Sequence, residues 1–414
     1  MKLKEIITKL KLDNEFLEIF SPFEKQALKN MPEKTFFFLE PDYYLEAAKF
    51  CGLDESVNEA LQRTAQKILE DKNLTAMAWL CYYLLFKTDA NINKWPEFKQ
   101  VIGDDFGIFY LLIALAMVGK TKEIHAQKDV NFHITRETCH EINCFCQNHL
   151  VAHQVPGILH NQLSWLRNYP SGRLFRLGRM EYRLEKLTCC GRVFSNLEDG
   201  RKIMLAEDGQ YFNREGYIDA TLPAESEENW TARLKEDGNL ITGFPITPEG
   251  KALKQEISLD ATKWKPLLKP GDEIIEMHIP SGGGMSPEKC LDSLRQAFDF
   301  FHKMYPESIL PAVCCQSSWI FNTQLEEAMP ESNLAKFMRE IYLFPVASKG
   351  KDGLWFVFCK EYEDWSQAPR QTSLQKAMLD VVCSGRKLRS AGMFFFENDL
   401  EYYGTGHYRK TWQL

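Results

Sequence analysis

The chain is most simply bounded by what it lacks. Its longest apolar run, Phe106 to Val118, falls short of the about 20 residues a membrane helix needs and reads as a buried helix. It has no surplus of positive charge: 50 Lys and Arg stand against 57 Asp and Glu, a net charge of −7. A duplex-DNA binder normally carries a basic face. Neither nucleic acid nor membrane is therefore an expected partner. The opening Met1-Lys2-Leu3-Lys4-Glu5 mixes charges and lacks a signal peptide's apolar core, so the cytoplasm is the expected compartment.

Oxidising chemistry and metal sites are also poorly represented. There are twelve cysteines, but the adjacent pairs Cys189-Cys190 and Cys314-Cys315 do not have a C-x-x-C spacing, and Cys51, Cys81, Cys359 and Cys383 sit in apolar company. Reduced thiols are expected. Cys146, His149 and His153 can share one helical face and are ligand types that suit zinc. Their spacing matches no finger or ribbon, and no Glu lies at the H-E-x-x-H position. A packed helix face is the expectation, and no metal ligand is assigned.

What is present falls into two halves. Residues 1 to about 153 read as helix after helix: Leu12–Leu28, Tyr43–Phe50, Val57–Leu69, Thr75–Phe86 and Phe106–Val118 carry apolar residues at helical spacing, broken by Pro32, Gly52 and Pro96. Residues 154–172, with Pro156-Gly157 and Asn168-Tyr169-Pro170-Ser171-Gly172, read as a connecting segment. From 173 to 414 the texture becomes strands and tight turns. Asp208-Gly209, Asp237-Gly238 and Asp352-Gly353 carry the hairpin signal. Expected strands are Phe175–Leu187, Lys202–Ala206, Thr231–Leu234, Leu240–Ile246, Leu253–Leu259 and Ile309–Cys315, then a hairpin of Ile341–Val346 with Leu354–Cys359. A helix over Thr372–Cys383 and a strand at Met393–Phe396 close the chain. The fold class is α+β: an all-helical N-terminal domain, then a mixed α/β domain with a central, mostly antiparallel sheet.

The stretch from Gly271 to Met304 carries the functional signal. Asp272–Ile279 reads as a strand, Ser281-Gly282-Gly283-Gly284 as a turn, and Ser286-Pro287 as the cap and first residue of a helix. Three glycines remove every Cβ that holds a ligand away from backbone N–H groups. The helix start adds unpaired N–H groups and partial positive charge, an arrangement suited to a phosphate or pyrophosphate. Strand alternation puts Glu276 and His278 on one face about 7 Å apart, and a carboxylate and an imidazole so placed are candidate general bases.

This order of elements is similar to that of acyl-CoA-dependent acyltransferases of the GNAT superfamily. It resembles more closely a two-domain bacterial family with a helical N-acyltransferase N-terminal domain and a GNAT-like C-terminal domain. The resemblance rests on Phe175-Arg176-Leu177-Gly178-Arg179, Gly243-Phe244-Pro245 with Gly250, Pro270-Gly271-Asp272, and His278-Ile279-Pro280. It continues through Ser293 with Ala297, Phe300 and Phe301, Cys315-Gln316-Ser317-Ser318-Trp319, Ser332-Asn333, and Thr372-Ser373-Leu374-Gln375. It implies transfer of an acyl group, acetyl first among them, from acetyl-CoA or another acyl-CoA to a small-molecule or peptide amine. Ser281, Gly282, Gly283, Gly284 and Ser286 would then hold the pyrophosphate, with Glu276 the first choice for the base and His278 the second. Ser317, Ser318 and Asn333 would lie along the acyl or pantetheine arm.

Two departures set rival readings beside this one. Ile279 stands where the superfamily's Gln/Arg-x-x-Gly-x-Gly/Ala turn begins with a basic or amide residue. No tyrosine stands in the 323–339 helical region to protonate a leaving thiolate; Tyr305 and Tyr342 flank it. The alternative is a GNAT-shaped protein that binds a ligand or partner without chemistry. A third reading is thiol chemistry at Cys314 or Cys315, which requires a base or positive environment beside the sulfur. Sequence alone leaves acceptor identity and oligomeric state open.

Overall fold

The computed structural model describes residues 2–90, 94–220 and 228–414. These divide into two compact units, Met1–Arg176 and Leu177–Leu414.

The first unit is helical throughout. Its centre is the helix Phe106–Leu115, every residue of which is buried. Burial of each Leu, Ile or Phe side chain contributes about 1.5–3 kcal/mol. Around it pack Pro41–Cys51, Asn58–Glu70 and Lys72–Lys87, with Glu15–Lys29 laid on the last of these. Local chemistry fixes their ends: Pro41 opens one helix, Gly52 closes it at φ +75°, and Asp71 caps the Lys72–Lys87 helix by accepting from Asn73 and Leu74 N–H. The helical run through Lys99–Gln127 is long and apolar enough to cross a membrane by length and composition, because flanking turns extend the apolar run seen in the sequence. Its most apolar window is 78% buried, as in the core helix of a globular unit. Cys146 and His149 lie on the helix Glu141–His153. The imidazole of His149 is buried against Phe106, its Nδ1 is 2.8 Å from the Val155 carbonyl, and burial pushes its pKa down to about 4.

The second unit is built on a six-stranded sheet, whose first strand begins just before the boundary, at Leu174. In chain order its strands are β1 (Leu174–Leu177), β2 (Met180–Lys186), β3 (Glu273–His278), β4 (Ala312–Ser318), β5 (Tyr342–Pro345) and β6 (Ala391–Phe396). In space they run β1-β2-β3-β4-β6-β5. β3 and β4 are parallel, whereas β2–β3, β4–β6 and β5–β6 are antiparallel. The helix Pro287–Met304 packs on this sheet with Cys290, Ser293, Leu294, Ala297, Phe298 and Phe301 buried. Ser293 fastens it: its hydroxyl accepts from Met180 N–H at 3.1 Å, donates to the Leu177 carbonyl and bonds Tyr182 Oη at 2.9 Å. Gly178 at φ +63° makes the tight turn beside it, where a Cβ would come within 3.4 Å of Ser293 Cα.

The helical first half, the mixed second half and the mostly antiparallel main sheet are as the sequence indicates. Three local expectations are corrected. Leu354–Phe358 is a short helix rather than a hairpin strand: Leu354 and Phe358 are buried one turn apart while Phe356 is exposed. The Asp352-Gly353 turn instead presses bare backbone on the ring of Trp319, which a Cβ at Gly353 would meet at 2.6 Å. Asp208-Gly209 joins strands of different sheets, since Lys202–Ala206 pairs with Gly191–Asn196 and Tyr211–Phe212 with Trp230–Thr231. Strands the sequence does not announce include Gly191–Asn196 and Trp264–Leu268. The second contains Pro266, which demotes a strand in any reading of sequence and is tolerated here because the strand is a sheet edge. Asp237-Gly238 does form its hairpin, with Asp237 paired to Leu240.

Candidate active site

β3 and β4 are held together at two registered positions, Ile275 with Val313 and Glu276 with Cys314. Past that point β4 carries a β-bulge: Cys315 pairs with Met393 of β6, but the next registered pair is Ser318 with Ala391, so β4 takes three steps against two. A bulge bends its strand and re-aims the side chains within it. Gln316 and Ser317 are the bulged residues.

At this place Glu276 is the centre of a polar network. Its carboxylate is 7% exposed. Arg183 of β2, its direct ladder partner, brings Nε to 2.5 Å of Oε2. His278 Nε2 lies 3.2 Å from the same oxygen. Gln316 Nε2 donates to Glu276 Oε1 at 3.0 Å, and the side-chain Oε1 of Gln316 accepts from Thr188 N–H at 2.6 Å. Burial alone would raise the Glu276 pKa. The imidazole of His278 3.2 Å away, the charge of Arg183 and the Gln316 donor outweigh it and hold the group at about 2. The shared face of Glu276 and His278 follows from strand alternation. Arg183 and Gln316 do not: they reach the site from other strands, and Gln316 reaches it through the bulge. The signal that could have found Gln316 was its place in Cys315-Gln316-Ser317-Ser318-Trp319, two residues on from Cys314, on the side of β4 that faces Glu276.

The glycine turn follows β3 directly. Gly282, Gly283 and Gly284 have φ of +78°, +71° and +68°, a run that L side chains enter only at about 1–2 kcal/mol per residue. Ser281 to Gly284 are exposed. The turn is clamped from beneath by Arg179, 8% exposed, which donates from Nη2 to the Pro280 carbonyl at 2.9 Å and from Nε to the Gly284 carbonyl. The Gly284 N–H donates to the Gly282 carbonyl at 2.9 Å, so the turn presents one amide fewer than its composition suggests. Ser286 caps the helix, accepting from Lys289 N–H, and Lys289 Nζ reaches the Gly283 carbonyl at 3.4 Å. That lysine places a positive charge at the turn which the sequence reading did not count.

The remaining sequence candidates are less convergent. Ser317 is exposed in the bulge. Ser318 uses its hydroxyl to accept from Ile320 N–H, opening a short helical turn. Asn333 is the exposed first residue of the helix Asn333–Met338, and the cap of that helix is Ser332. Tyr342 is fully buried, donates to the Ile246 carbonyl and accepts from Met204 N–H, and burial pushes its pKa up. Cys314 and Cys315 are buried, with burial pushing Cys315 up to about 12 and Cys314 well above its ordinary value. A thiol so placed is an inert strand residue, not a nucleophile.

Comparison with known proteins adds to this geometry. Residues 45–172 match a family described as the N-acyltransferase N-terminal domain, and residues 174–395 match one described as the GNAT-like C-terminal domain. Among solved structures, an acyltransferase in complex with decanoyl-CoA is 18% identical, with a TM-score of 0.63 over 96% of this chain and 99% of that one. An acyltransferase mutant in complex with octanoyl-CoA and an acyltransferase in complex with CoA and 10C-teicoplanin are each 16% identical, with the same TM-score and coverage. Likeness at such identities carries the fold. No curated protein matches the chain.

Proposed function

The chain belongs to the two-domain acyltransferase family defined by an N-acyltransferase N-terminal domain and a GNAT-like C-terminal domain, and from that premise we propose that it transfers an acyl group from an acyl-CoA to an amine. The observation that carries the reading is the juncture at β3 and β4. Two parallel strands part company immediately beyond Glu276 and Cys314, the imidazole and carboxylate stand at the parting, and β3 runs on into a clamped glycine turn and a helix start. The CoA complexes of the solved relatives support an acyl-CoA as co-substrate, and their octanoyl and decanoyl chains favour a donor longer than acetyl.

In this reading the pyrophosphate lies at Ser281–Gly284 and the start of the following helix, with Lys289 adding charge. The thioester lies in the opening between β3 and β4. The amine attacks the thioester carbonyl, nitrogen–carbon bond formation gives a tetrahedral intermediate, and its collapse expels the CoA thiolate. The nitrogen must shed a proton in the course of this. We assign the acceptor to His278, reversing the order suggested by sequence. A carboxylate held at about 2 stays ionised and takes up an amine's proton poorly, so Glu276 orients the imidazole and stabilises the positive charge that forms once the ring has taken the proton. A purified sample heated with CoA, acetyl-CoA, octanoyl-CoA and decanoyl-CoA tests the cofactor. A ligand at a hundredfold its Kd adds about 2.7 kcal/mol of stability, a clear rise in Tm. A ligand-induced rise without release of free thiol across an amine panel favours a binding protein; no rise with any of the four overturns the reading.

A further inference from the structure

Gln316 has unlike ends, and the structure fixes which faces where. Its oxygen accepts from the backbone N–H of Thr188 at 2.6 Å and from the Thr188 hydroxyl. A backbone N–H can only donate, so the amide NH2 is compelled to face Glu276, where it donates to Oε1 at 3.0 Å. With Oε1 so held, Oε2 is left for Arg183 at 2.5 Å and His278 at 3.2 Å. The direction of this chain is set by main-chain geometry at Thr188 and runs through two side chains to the imidazole.

We propose that Gln316 is a positioning residue for the proton-accepting imidazole of His278: anchored by Thr188, it locks the carboxylate of Glu276 in the orientation that pairs with His278. The use made of the imidazole rests on the acyl-transfer reading above, whereas the coupling itself is a property of the free protein. Among the described residues, Glu276 lies beside His278 on its own strand, and on β2 the buried Glu181 is its ladder partner with Arg183 next along; Gln316 on β4 reaches the imidazole only through Glu276. Of these, Gln316 is the one whose removal changes no charge and yet frees Glu276 to turn.

The test is a double-mutant cycle between Gln316→Met and Glu276→Gln on the full chain, read in two ways. The first is the pH midpoint of His278 by ¹⁵N-histidine NMR, with the resonance assigned from the spectrum of His278→Gln. The second is kcat and KM for acyl transfer. Glu276→Gln lowers the His278 midpoint, the direction expected for losing an adjacent carboxylate. Gln316→Met moves it in the same direction, lowers kcat about tenfold or more and leaves the KM for acyl-CoA in place. In the Glu276→Gln background, Gln316→Met has no further effect on either readout. Thr188→Val, which removes one donor from the Gln316 oxygen and keeps the backbone anchor, moves both readouts the same way by less, and decides the matter if Gln316→Met does not fold. An unmoved or raised midpoint, or an effect that persists undiminished in the Glu276→Gln background, overturns the proposal. A protein that transfers no acyl group silences the kinetic arm alone, and the titration still decides the coupling.

Discussion

Arg183 and Glu276 are direct partners across the β2–β3 ladder, and they close an ion pair of 2.5 Å around a carboxylate that is 7% exposed. The pair is oriented on both sides, with Gln316 on the second oxygen and His278 sharing the first. Removing the guanidinium leaves a buried charge. Arg183→Met is therefore expected to cost about 3–5 kcal/mol, measured by urea denaturation at neutral pH. A loss under about 1 kcal/mol, the range of an exposed pair, contradicts this picture.

The same carboxylate makes stability depend on acid. Glu276 titrates at about 2 in the folded chain against an ordinary 4.5, so the folded state favours its ionised form. Its contribution is fully present above about pH 4.5 and is lost as pH falls towards about 2, amounting to something on the order of 3 kcal/mol. Glu276→Gln lacks that contribution. The stability gap between wild type and variant is expected to be widest above pH 5 and to close towards pH 2. A constant gap across that range contradicts it.

How far these features can be read from sequence depends on how local they are. The Ser286-Pro287 helix start and the shared face of Glu276 and His278 follow from neighbouring residues and strand periodicity, and the structure has both. Phe106–Leu115 was legible because an apolar run with no polar face has only one place to go. Arg183, Gln316 and Arg179 show no role in the sequence because their meaning depends on register between strands far apart in the chain. A one-residue bulge at Gln316–Ser317 has no sequence signature at all. Leu354–Phe358 reads as a strand because aromatic residues after an Asp-Gly pair suit a hairpin, and packing against Trp319 decides otherwise.

The glycine turn and Lys289 are tested by binding. Lys289→Ala is expected to weaken CoA by several-fold, through loss of one exposed charge near phosphate, with the Tm of the free protein unchanged. Gly283→Glu adds a carboxylate and a strained φ of +71°, costing about 1–2 kcal/mol of stability, and is expected to abolish the CoA-induced rise in Tm. An undiminished rise in Gly283→Glu removes the turn from the site.

The thiol reading is tested by labelling. Cys383 is exposed, whereas Cys314 and Cys315 are buried and burial raises both pKa values. Iodoacetamide at neutral pH is expected to modify Cys383 first and to leave the strand pair untouched until the protein unfolds, as followed by peptide mass mapping. Rapid, selective alkylation of Cys315 restores a nucleophilic cysteine.

The most direct test of the account is the rate of free thiol release from decanoyl-CoA in the presence of an amine panel, wild type against His278→Gln, with CoA-induced stabilisation measured on both. The account predicts amine-dependent release by the wild type, a fall of about 10²- to 10⁴-fold in His278→Gln as for loss of a general base, and an equal rise in Tm with CoA for the two proteins. Transfer by His278→Gln at the wild-type rate contradicts it.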